Sequence, residues 1–105
     1  MDLGVKWSKK AEFELDEILE YWNSRNGNYN YSLKLIASFN KTISTLINYP
    51  KSGKSTDRPN VRFKIVKDYF VYYTCDETTV FIVDICDMRR NPNYIKPFFR
   101  VAIHG

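Results

Sequence analysis

The sequence predicts an α+β domain of order β-α-α-β-β-β, with an αα-hairpin packed on one face of a small, mainly antiparallel sheet. Three observations carry this expectation. Residues 61 to 92, VRFKIVKDYFVYYTCDETTVFIVDICDMRRNP, hold three short runs rich in Val, Ile, Phe, Tyr and Thr, separated by polar turns at Lys67-Asp68 and Asp76-Glu77. Two longer segments before them repeat apolar residues at helical spacing. A brief apolar run, Leu3 to Trp7, precedes both and suits a first strand.

Each element has its own local cause. Ser8 follows the first strand as a helix N-cap, because its hydroxyl accepts from backbone N–H groups of the first turn. Ala11, Leu15, Ile18, Leu19 and Trp22 then form one stripe, with Glu12, Asp16, Glu17 and Glu20 outside it or at its edge. Asn26-Gly27 tolerates positive φ and ends this helix. A second helix spans Asn30 to Asn48 with Ile36, Phe39, Ile43, Leu46 and Ile47 on one face, and Pro50 forbids its continuation. Phe13 points away from the first stripe and is expected to pack under the C-terminal tail or to meet a partner. Lys51 to Asn60 reads as a polar loop. The three strands are placed at Val61 to Lys67, Tyr69 to Thr74 and Thr79 to Cys86. In the first, Val61, Phe63 and Ile65 alternate with Arg62 and Lys64, so one face is expected to receive the helices and the other to present cations. Beyond Pro92 the tail reads as a turn and an edge segment broken by Pro97.

A chain of 105 residues is expected to be one domain, residues 1 to 105, with a single core. No secretory signal opens it and no apolar run reaches the roughly 20 residues of a membrane span, so a soluble, cytoplasmic protein without a membrane partner is expected. Cys75 and Cys86 fall at far ends of a predicted hairpin and read as buried, reduced thiols. No metal-ligand spacing is present, and Gly4, Gly27, Gly53 and Gly105 draw no nucleotide-binding pattern, so no cofactor is expected. The net charge of +4 is uneven: the basic excess falls after residue 50, which favours phosphate or acidic partners.

The ordered series Val5-Lys6-Trp7-Ser8, Ala11, Leu15, Ile18, Tyr21-Trp22, Leu46, Pro50, Gly53, Val61-Arg62, Tyr69 to Tyr73 and Asp87-Met88-Arg89-Arg90-Asn91-Pro92 resembles the RelE/ParE family of bacterial type II toxins. The likeness runs from Val5 to Pro92 and agrees with the element order read from periodicity. It implies a small growth-inhibiting toxin, of the kind tied to plasmid stabilisation, neutralised by a cognate antitoxin protein. Two mechanisms live on this fold, and the fold does not choose between them. RelE-like members are ribosome-dependent mRNA endonucleases that need no metal, whereas ParE-like members act on DNA gyrase.

For a nuclease, the resemblance makes Arg62, Lys64, Arg89 and Tyr94 the candidate catalytic residues. Cleavage through a 2′-hydroxyl needs a proton acceptor, cations on the phosphate and a proton donor to the leaving oxygen. One cation is missing, because Phe70 stands where such nucleases carry an arginine, and the single histidine, His104, is penultimate. Asp84 and Asp87 read as partners of Arg62, Arg89 and Arg90. The expected function is therefore that of a ParE-like toxin, a binding protein more than an enzyme, with the ribosome-dependent nuclease as the alternative. Its target-binding residues are expected to be Arg62, Lys64, Arg89 and Arg90, grouped at a basic end of the sheet. Phe13, Phe98 and Phe99 are expected to anchor the antitoxin.

Overall fold

The structure is a computed structural model that describes residues 3–89. Its elements are β1 (Gly4–Trp7), α1 (Lys9–Asn26), α2 (Asn30–Asn48), β2 (Lys54–Ser55), β3 (Arg62–Val66), β4 (Tyr69–Cys75) and β5 (Thr79–Asp87). They form a five-stranded sheet of order β1-β5-β4-β3-β2, in which only β1 and β5 run parallel. The α+β expectation and its element order hold, with β2 added inside the segment read as a loop. Two residues are too few to show a period, so β2 leaves no signal in the sequence.

The helix boundaries follow the local chemistry. Ser8 caps α1, its hydroxyl accepting from the Ala11 N–H at 3.0 Å while donating to the Val83 carbonyl at 3.0 Å. Gly27, at φ 69°, closes the same helix in the left-handed region and donates its N–H to Asn23. The hairpin then turns, and Ser32 of α2 donates its hydroxyl to the Leu19 carbonyl at 3.1 Å, tying the helices together.

The sheet has two apolar faces. The helices cover the face carrying Val66, Tyr69, Val71, Tyr73, Val80, Ile82 and Ile85, which pack with Ala11, Ile18, Leu35, Phe39, Ile43 and Leu46. A second cluster, Phe63, Phe70 and Tyr72 flanked by Val61, Val83, Cys86 and Met88, occupies the opposite face. This corrects the expectation for β3: Phe63 lies away from the helices, while Arg62 and Lys64, paired with Tyr73 and Val71, belong to the helix side. The physical reason is β4, where Tyr69 through Tyr73 are all buried. A central strand buried on both faces loses the alternation that would have assigned them. Ile65, read as core, is 49% exposed at the sheet margin. Between Tyr72 and Tyr73 the β4–β5 register shifts, leaving Val83 as the extra residue of a bulge.

Phe13 is 63% exposed on α1, and the tail it was expected to pack under lies outside the described residues. The cysteines are both free and half-buried, on opposite faces of the sheet. Burial, with nearby carboxylates, pushes the Cys86 thiol up to about 11, so it stays protonated at neutral pH. Arg90, Tyr94, Phe98, Phe99 and His104, with the turn and edge segment read for the tail, lie outside the described residues.

Candidate functional site

Of the expected basic residues, Arg62 and Arg89 lie apart, and Arg90 is outside the described residues. Arg62 pairs with Tyr73 and Asp87 with Tyr69, so Arg62 and the residues leading to Arg89 are separated by four positions along β4, roughly 13 Å at a strand's rise per residue. Their surroundings also differ. The Arg62 guanidinium donates to the Gly53 carbonyl at 2.9 Å and lies 3.5 Å from the Ser55 hydroxyl. Gly53 is held from its other side by Tyr73, whose buried hydroxyl accepts the Gly53 N–H at 2.8 Å and donates to the Pro50 carbonyl at 2.8 Å. Desolvation raises the Tyr73 pKa, keeping that hydroxyl a donor. A side chain at position 53 would meet the Tyr73 ring at 2.7 Å and the Phe63 carbonyl at 2.8 Å, which explains the glycine on steric grounds alone. Arg62 is thus part of a clamp that fixes the 50–55 loop and β2 on the sheet edge.

Arg89 sits in an open cleft of about 250 Å³ lined by Ile18, Tyr21, Tyr69, Asp87 and itself. Its backbone N–H donates to the Asp87 carboxylate at 2.8 Å, its Nε at 3.3 Å, and Asp68 lies 3.6 Å from its guanidinium. The guanidinium carbon is 5.4 Å from the centre of the Trp22 ring, within cation–π range. Trp22 is fixed in turn, its Nε1–H donating to the buried Tyr69 hydroxyl at 2.8 Å and its ring resting against Tyr31 at 4.6 Å. Asp87, the largest influence, holds the Arg89 charge even more firmly than usual. Asp87 and Arg89 therefore pair as the sequence suggested. Asp84 pairs with Lys10 at 3.3 Å, and Arg90, one of the arginines expected beside it, lies outside the described residues.

Beside Asp84 lies a residue the sequence reading passed over. Glu14 reaches from α1 to the outer edge of β5 beyond the end of β1 and accepts the Ile85 N–H at 3.1 Å. Burial, then the neighbouring Asp84 carboxyl, raise its pKa from 4.5 to about 7. Glu14 adjoins Leu15 at the margin of the apolar stripe, and that position was the available signal. For Trp22 there was none beyond helical spacing, which counts it as core.

Phe70, the residue at the missing nuclease cation, is buried in the second-face cluster, 5.1 Å from Phe63 between ring centres. Among the described residues no group of His, Cys, Asp and Glu is placed to hold a metal ion, and no helix is long and apolar enough to cross a membrane.

Comparison with known proteins adds three findings. One family description matches, "ParE toxin of type II toxin-antitoxin system, parDE", over residues 5–92. No curated protein sequence matches the chain. Among solved structures, a chain of the chromosomal ParDE toxin–antitoxin system from P. aeruginosa is similar, with a TM-score of 0.68 at 19% identity, covering 81% of this chain and 95% of that one. At that identity the likeness is one of fold.

Proposed function

The chain belongs to the ParE toxin family of type II toxin–antitoxin systems, and from that premise we propose that it arrests growth by binding an essential protein, DNA gyrase, and is neutralised by a cognate antitoxin. The observation that carries the choice of a binding mechanism is the dispersal of the cations. A nuclease must bring proton acceptor, cations and proton donor around one phosphate. Here Arg62 is committed to the Gly53 carbonyl, Arg89 is committed to Asp87 and Asp68 some way along the sheet, and Phe70 is buried where a third cation would be needed. That arrangement supports target recognition over RNA cleavage.

The target surface is assigned to Arg62, Lys64, Arg89 and Arg90. Phe13, together with Phe98 and Phe99, is assigned to the antitoxin, whose carboxylates would cover cations while its apolar side chains meet exposed aromatics. The ParDE system of the similar structure pairs a toxin with its antitoxin by name, which favours the same pairing here.

The test is brief induction of the chain in a bacterial host without antitoxin, followed by primer extension on abundant messages and recovery of gyrase covalently trapped on DNA. Trapped gyrase with intact messages is the expected result. New 5′ ends within translated codons would replace this reading with the ribosome-dependent nuclease.

A further inference from the structure

The segment from Lys51 to Lys67 carries Lys51, Lys54, Arg58, Arg62, Lys64 and Lys67 against one carboxylate, Asp57. It forms the outer margin of the sheet: β2 pairs only Lys54 with Phe63 and Ser55 with Arg62, leaving the rest of β3 without an outer neighbour among the described strands. Lys51, Lys54 and Lys67 are exposed and Lys64 is half-buried. None of these four lysines makes an ion pair among the described residues. Lys54 shares the register of Phe63 and Lys64 that of Val71, so the charges project from both faces of the edge. The ridge is also held in shape, because Tyr73 and Arg62 clamp Gly53 and the Thr56 hydroxyl donates to the Val61 carbonyl at 2.9 Å.

We propose that this lysine ridge, residues 51 to 67, docks on the phosphate backbone of duplex DNA without reading its sequence. Unpaired lysines on a fixed edge are the electrostatic footprint of a polyanion partner, and lysine acts on phosphate as a point charge that carries no base code. A protein partner along the whole ridge fits less well, because lysine is depleted in the cores of protein interfaces, where aromatic and arginine anchors dominate, although Arg62 and Lys64 are shared with the surface assigned to the protein target. A single strand also fits less well, because its binders stack successive bases on several aromatic rings. Of the exposed aromatic side chains among the described residues, only Tyr49 adjoins this segment. The inference goes beyond the gyrase reading and does not depend on it, although a toxin acting on a DNA-bound enzyme would gain a second contact from it.

The experiment is fluorescence anisotropy of the full chain with a labelled duplex of arbitrary sequence over a range of salt. With four phosphates neutralised, affinity is expected to fall about 100-fold between roughly 50 and roughly 200 mM salt. The variant Lys51→Gln, Lys54→Gln, Lys64→Gln, Lys67→Gln should keep its thermal midpoint and lose most of that slope, about one unit per lysine. Lys34→Gln with Lys41→Gln, which removes exposed charge from α2, should leave the slope unchanged. A quadruple variant that binds like the wild type, an equal loss in the α2 variant, or tighter binding to a single strand of equal length would each overturn the proposal. No gyrase is present in the assay, so its failure leaves the gyrase reading intact, and the reverse holds too.

Discussion

The two sides of the sheet handle charge in opposite ways. Along α1 and the outer edge of β5, cations have carboxylates beside them: Lys10 meets Asp84, Arg89 meets Asp87 and Asp68, and Glu14 adds a carboxyl beyond those pairs. Along β2 and β3, Arg62 is bound to an uncharged backbone carbonyl and the four lysines have no acidic partner among the described residues. The lesson is that an arginine's role is set by what it touches. Arg62 and Arg89 look alike in the sequence, yet one clamps a loop and leaves its charge available, while the other is neutralised on an aromatic platform.

The sharpest way to break the uncompensated side is to spoil its clamp. Gly53→Ala places a methyl group against the Tyr73 ring and the Phe63 backbone, and is expected to cost about 2–3 kcal/mol, read as a lower denaturant midpoint. Tyr73→Phe keeps the ring but leaves the Gly53 N–H and Pro50 carbonyl without their partner. Because that hydroxyl links two backbone groups in a buried site, a loss of about 1–2 kcal/mol is expected in the same assay. If Tyr73→Phe were neutral, the loop would be held by Arg62 alone.

The compensated side is probed by pH. Glu14 titrates near 7 in the folded chain against 4.5 ordinarily, so between those values the folded state keeps a proton that the unfolded state releases. The stability Glu14 contributes is thus full below about 4.5 and is lost as the pH rises through 7. Glu14→Gln retains an acceptor for the Ile85 N–H and should remove that decline, so the difference between variant and wild type grows in the variant's favour from pH 5 to pH 8. An unchanged profile would mean that Glu14 is already ionised in the fold. The smallest effect belongs to Asp87→Asn. Arg89 is half exposed, so its ion pairs contribute little, and a stability change of about 0.5 kcal/mol or less is expected. The Trp22 fluorescence should nonetheless shift as the guanidinium is freed, measured with Trp7→Phe as background.

These effects separate what could be read from the residues from what could not. The helices were legible because each carries its own period and its own punctuation, Ser8 and Gly27 for α1 and Pro50 beyond α2. The meander was legible from its strand-forming runs, and its turns fell at Lys67-Asp68 and Asp76-Glu77 as expected, with Lys67 at φ 55° and Asp76 accepting two backbone N–H groups at 2.8 Å. The faces of the sheet were not legible, because β4 is apolar on both sides and pairing decides which side the helices take. Residue types also gave the candidate cations but not their partners. Gly53, Asp68 and Trp22 become neighbours of Arg62 or Arg89 only through the fold, and a carboxylate such as Glu14 acquires its unusual pKa from burial beside Asp84 of a distant strand.

If this member of the ParE family engages gyrase as proposed, the purified enzyme should respond to it. Supercoiling of a relaxed plasmid should be inhibited by the purified chain, with linear DNA appearing after detergent and protease treatment. Arg89→Glu should remove both effects while leaving the melting profile intact. Undiminished supercoiling and no linear DNA at saturating protein, with the wild-type chain folded and toxic, would rule gyrase out as the target.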